Sequence, residues 1–118
     1  HYPLRRQRQM CIRDSVKTER GFHDLFAMDA YQHVHDGVDY PAVLLTTGLH
    51  DPRVSPWEAT KMAARLQAAT ASKNPILLRV EDDGGHGFGA TRAQRDAETA
   101  DIMAFTLWRT GHPGFQPG

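Results

Sequence analysis

Cysteine is nearly absent from this 118-residue chain, with Cys11 standing alone. A single thiol cannot close an internal disulfide, so a disulfide-stapled scaffold is excluded and cysteine usage gives no redox compartment. Long hydrophobic runs are missing as well. The apolar stretch over residues 42–47 (AVLLTT) falls far short of the roughly 18 residues a membrane-spanning helix needs. Serine is scarce: Ser15, Ser55 and Ser72 are the three, and none is set between glycines. There is also no net charge, although charge is unevenly spread. Residues 1–20 hold six Lys/Arg against two Asp/Glu, and the remainder holds eight against twelve. The basic residues Arg5, Arg6, Arg8, Arg13, Lys17 and Arg20 lack interleaved aromatics and precede no nucleic-acid reading module. A nucleic-acid partner is therefore not expected, nor is a membrane. Residues 4–15 (LRRQRQMCIRDS) resemble translated sequencing-adapter read-through, so residues 1–19 are expected to be a non-native or disordered basic segment outside the fold.

What is present is a short alternation of strand and helix patterns. Residues 22–35 read as a helix or helical turn with Phe22, Leu25, Phe26 and Met28 as its apolar stripe. Asp36, Gly37, Asp39 and Pro41 mark a loop. Residues 42–47 then form an apolar run between Pro41 and Gly48, which predicts a strand buried on both faces. Ser55, Pro56 and Glu58 carry the signature of a capping box with proline at the first helical position. Ala59, Met62, Ala63 and Leu66 give that helix one apolar face, with Lys61 and Arg65 on the wet side. Residues 76–80 (ILLRV) are a second strand, followed by the glycine-rich loop 81–90. Thr91 and Gln94 form a second capping box, and Ala93, Ala97, Ala100, Ala104 and Leu107 run along the next helix. The order strand–helix–strand–helix predicts an α/β architecture with parallel strands and crossover helices.

Ligands of open α/β sheets bind outside the carboxyl ends of the strands. Asp51 follows the first strand and His86 the second, so one strand–helix–strand unit separates them. A carboxylate that accepts a hydrogen bond from an imidazole fixes its tautomer and stabilises the imidazolium. Imidazole titrates near neutrality, which suits general base and acid work. Spacing alone leaves simpler roles open: His86 as a surface-loop histidine, and Asp51 as the turn former of an Asp-Pro step. His33, His35 and Asp36 lie close together, but no third or fourth ligand has the spacing of a metal site.

Residues 40–57 (YPAVLLTTGLHDPRVSPW) resemble the segment of prolyl oligopeptidases in which a strand leads into an Asp-x-Arg-Val loop and a proline-capped helix. Residues 81–89 (EDDGGHGFG) resemble the Gly-His-Gly setting of that family's catalytic histidine, and residues 31–34 (YQHV) a stretch upstream. The resemblance covers about residues 20–110. It implies the C-terminal part of an α/β-hydrolase fold over residues 20–110; residues 111–118, rich in Gly and Pro, read as a tail. It implies a serine-type endopeptidase cleaving short peptides after proline, without a cofactor. Asp51 would be the triad acid, His86 the base, and Arg53 the guanidinium that holds a substrate backbone carbonyl, a task suited to its fork of donors. Pro52 stands where some relatives have an acidic residue, leaving Asp51 and Arg53 in place. No serine here has the G-x-S-x-G setting of the nucleophile. The serine, its oxyanion hole and most of the sheet would lie upstream, so the chain alone is expected to be inactive and to need that N-terminal part. Another α/β-hydrolase, such as an aminopeptidase or esterase, and a non-catalytic interaction domain are the alternatives.

Overall fold

The structure is a computed structural model that describes residues 18–51, 54–82 and 90–118. The chain divides into two compact units, residues 1–35 and 36–118.

In the first unit, helix α1 spans Glu19–Met28. Thr18 starts it: its hydroxyl accepts the Gly21 N–H at 3.1 Å, satisfying one of the donors that a helix start leaves orphaned. The helix ends where Asp29 adopts an extended backbone. The Asp29 carboxylate then accepts the Tyr31 N–H at 3.0 Å and opens a separate 3-10 turn, Ala30–His33. The single helical segment expected over residues 22–35 is thus two pieces, because Asp29 competes for the backbone as short polar side chains do. The expected stripe is largely open to solvent. Phe22, Phe26 and Met28 are about half exposed, and the two phenylalanine rings pack on each other at 6.1 Å.

In the second unit, β1 (Val43–Gly48) and β2 (Ile76–Glu81) pair in parallel, and α2 (Pro56–Ala69) forms the crossover. The register runs from Val43↔Ile76 to Gly48↔Glu81. Helix α3 (Arg92–Arg109) follows β2. The core lies where α2 meets the sheet: Ala63, Leu66, Ala69 and Ile76 are buried, while Lys61 is exposed. The predicted inner face of α2 is therefore correct. Arg65, expected on the wet side, is instead half-buried and paired with Asp36. Ahead of β1, Gly37 takes φ +80°, open to glycine at no steric cost. Its N–H donates to the Ala69 carbonyl at 2.8 Å, and Val38 bridges to Thr70. The Tyr40 carbonyl accepts from Ser72 Oγ at 2.7 Å and from Asn74 Nδ2 at 3.1 Å. The entry to β1 is thus lashed to the exit of α2, which holds the crossover short and the strands in register.

One expectation fails here, and α3 shows the same cause. β1 was expected to be buried on both faces, yet its residues are at most half-buried and Leu77 beside it is 42% exposed. The apolar side of α3 has no buried residue. An open groove of about 630 Å³ lies between them, lined by Leu44, Leu77, Ala104, Phe105 and Trp108. Two strands and one packed helix do not supply enough surface to close both faces. Residues 111–118 are more than a loose tail. Gly111 takes φ +82°, the His112 N–H donates to the Leu107 carbonyl at 2.9 Å, and Gln116 Nε2 reaches the Trp108 carbonyl at 3.2 Å.

Candidate functional site

The two strands end level with each other. Gly48 pairs with Glu81, and the Leu49 N–H extends the ladder by donating to the Glu81 carbonyl at 3.0 Å. Adjacent strands lie about 4.8 Å apart. The chain therefore leaves β1 and β2 at neighbouring points on one edge of the sheet, which is the arrangement that a ligand site at strand carboxyl ends requires.

Asp51 stands on the first of these exits. It is half-buried, its N–H reaches back to the Gly48 carbonyl at 3.4 Å, and its Oδ1 accepts the Val54 N–H at 3.0 Å. The loop thus turns on its own carboxylate, and one oxygen is held in a fixed direction by the backbone. A charge-assisted bond of this kind is stronger than a neutral one. Helix α2 begins at once, with Pro56 at its start. Ser55 occupies the cap position but makes no side-chain bond; only its carbonyl accepts, from the Glu58 N–H at 3.1 Å. The capping box expected at Ser55 and Glu58 therefore does not form.

The second exit is framed on both sides. Glu81 ends β2, and the capping box at Thr91 begins α3 as expected, with the Gln94 N–H on Thr91 Oγ1 at 3.2 Å and the Thr91 N–H on Gln94 Oε1 at 2.7 Å. His86, within this loop, and Arg53, beside Asp51, lie outside the described residues. His33 has its Nε2 2.6 Å from the Ala27 carbonyl oxygen. Among the described residues, no three metal-ligating side chains cluster.

The sequence reading missed a polar cluster next to the second exit. Arg79, on β2, donates through Nε to Asp101 Oδ2 of α3 at 2.7 Å, and its Nη1 lies 3.0 Å from Glu81 Oε2. The bond to Asp101, with support from Glu81 and against partial burial, raises the guanidinium above its ordinary value, so it stays charged. The one signal available was an arginine interrupting the apolar run ILLRV.

Residues 3–112 match the sequence profile of the prolyl oligopeptidase family. Prolyl endopeptidase from Elizabethkingia meningoseptica is 40% identical over 87 residues, covering 71% of this chain and 12% of that protein. Dipeptidyl aminopeptidase BI from Pseudoxanthomonas mexicana is 33% identical over 94 residues, covering 79% of this chain and 13% of that protein. A solved chain from a study of two prolyl endopeptidases superposes with a TM-score of 0.73 at 33% identity, over 78% of this chain and 14% of that chain. The chain thus spans about an eighth of the length of the curated relatives it matches.

Proposed function

Because this chain belongs to the prolyl oligopeptidase family and carries part of its α/β-hydrolase fold, we propose that it supplies the acid and base of a Ser-Asp-His triad in a serine endopeptidase. Asp51 is the acid, His86 the base, and the serine comes from outside these 118 residues. The serine oxygen attacks the scissile carbonyl and passes its proton to His86, which hands it to the departing amine; water then releases the acyl group by the same route. Asp51 holds the ring and stabilises its charged form. Arg53 donates to a backbone carbonyl of a short peptide, and cleavage follows proline. No cofactor enters this chemistry.

The observation that carries the reading is Asp51 itself. It is a half-buried carboxylate at the carboxyl end of a parallel strand, pinned by the Val54 N–H, on the edge from which the next strand's loop also departs. The test is a segment exchange. Residues 36–110 of this chain replace the matching segment of the E. meningoseptica prolyl endopeptidase, and hydrolysis of a Gly-Pro chromogenic peptide is followed. The chimera is expected to be active, and Asp51→Asn or His86→Ala to lower kcat by about 10⁴-fold. An Asp51→Asn chimera that kept a tenth of the rate would sink the assignment. The purified 118-residue chain is expected to hydrolyse nothing above buffer.

A second reading, release of amino-terminal dipeptides, is favoured by the similarity to a dipeptidyl aminopeptidase. It predicts that acylating the substrate's amino terminus abolishes cleavage, whereas an endopeptidase tolerates the cap.

A further inference from the structure

Asp51 is shared by two consecutive turns. The first runs over residues 48–51 and is closed by the Asp51 N–H on the Gly48 carbonyl; the second is closed by the Val54 N–H on Asp51 Oδ1. The closing bond of the first turn is weak, because at 3.4 Å it lies past the usual limit of about 3.2 Å for an N–H···O bond. Side-chain packing adds little, since Leu49 is 46% exposed and His50 is exposed. The firm contact is the Leu49 N–H, which donates at 3.0 Å to the carbonyl of Glu81, the last residue of β2. This rung falls one residue beyond the end of β1. The turn is thus hung from the neighbouring strand more firmly than it is closed on itself.

We infer that Leu49 is a positioning residue for Asp51, acting through its backbone N–H. This rests on the reading of Asp51 as the triad acid. Each residue contributes two soft dihedrals, so the Asp51 backbone lies only about five rotations from the rung. Losing the rung moves the last fixed point back into β1 and lets the turn pivot about Gly48, which has no side chain to restrain it. A pivoting carboxylate has to be re-ordered at each turnover, and small misplacements of a reacting group are costly in rate. The sheet therefore aims the acid through a main-chain bond, and the identity of the side chain at residue 49 is secondary.

The test separates the rung from the turn. Among the described residues no non-glycine has positive φ, so Leu49 and His50 fit a type I turn, whose second residue accepts proline. Gly48 is a strand residue, already in the extended backbone that a following proline requires. Leu49→Pro therefore keeps the turn and deletes the rung, whereas Leu49→Ala keeps the rung and deletes the side chain. In the full 118-residue chain, amide relaxation by NMR gives the order parameter of the Asp51 N–H. It is expected at about 0.85, the value of rigid backbone, in wild type and Leu49→Ala, and below about 0.6 in Leu49→Pro. The Val43 N–H makes the rung at the other end of β1, to the Pro75 carbonyl at 3.0 Å, and is expected to stay rigid in all three. An Asp51 amide that stays rigid in Leu49→Pro overturns the positioning role, because the rung is then dispensable. Loss of order at Val43 as well also overturns it, because the rung then serves the sheet as a whole. In the active chimera, Leu49→Pro is expected to lower kcat by about tenfold to a hundredfold with KM little changed. Once Asp51→Asn is present it is expected to cost nothing further, since it acts through that carboxylate. A further loss in that background overturns the positioning role and leaves the triad reading standing. An Asp51→Asn chimera that keeps its rate overturns the triad reading, and this inference with it, whatever the amides show.

Discussion

At the scale of single residues, the site turns on how Asp51 is aimed. Its carboxylate has one oxygen committed to the Val54 N–H at 3.0 Å, and this bond needs no side chain at residue 54. Val54→Pro removes the donor while keeping the size of the residue. In the active chimera this is expected to lower kcat by about tenfold to a hundredfold, the worth of one hydrogen bond to a charged group, with KM little changed. Val54→Ala keeps the N–H and is expected to leave kcat near the parent value. Asp51 could be picked out in sequence through the resemblance of residues 40–57 to the family's Asp-x-Arg-Val segment, because spacing alone left it a turn residue before Pro52. Arg79 could not, because an arginine in a strand reads as a solvent-facing residue until its partner, 22 positions away, is known.

At the scale of elements, the two cap signatures are alike in sequence and differ in outcome. Thr91 and Gln94 exchange both bonds of a capping box; Ser55 makes no side-chain bond. Thr91 has ψ near 162° and Ser55 near 132°, so the two side chains are aimed differently at the first turn. The motif names the residues able to cap, and the approach of the chain decides whether they do. Thr91→Ala is therefore expected to cost about 1 kcal/mol, and Ser55→Ala to stay within about 0.5 kcal/mol. Urea midpoints of the two variants, compared with the parent, check this contrast. Both strands were legible from their short apolar runs, and the inner face of α2 from its spacing. The break at Asp29 was not, because the stripe over residues 22–28 and the turn after it read as one helical pattern.

At the scale of the whole molecule, the described residues bury little. Val34, Ala63, Leu66, Ala69 and Ile76 are the buried apolar residues among them, and none is fully sealed. Leu77, Ile102 and Met103 remain exposed, and the groove between the sheet and α3 is open. A core of this size gives a marginal fold. Leu66→Ala, the removal of its largest α2 member, is expected to cost at least about 2 kcal/mol and to leave the isolated chain unfolded by circular dichroism. The isolated wild-type chain is expected to bind the dye ANS strongly, and the chimera weakly, because in the chimera the relative's remaining sheet and helices cover these surfaces.

Strand and helix order and the position of Asp51 follow from the sequence alone, because each depends on neighbours within a few residues, and the parallel crossover follows from that order. The depth to which β1 is buried, the pairing of Arg65 with Asp36 and the joining of Arg79 to Asp101 were decided by tertiary structure. These depend on which elements approach across the fold, and residues 29 and 22 positions apart leave no local periodicity to read.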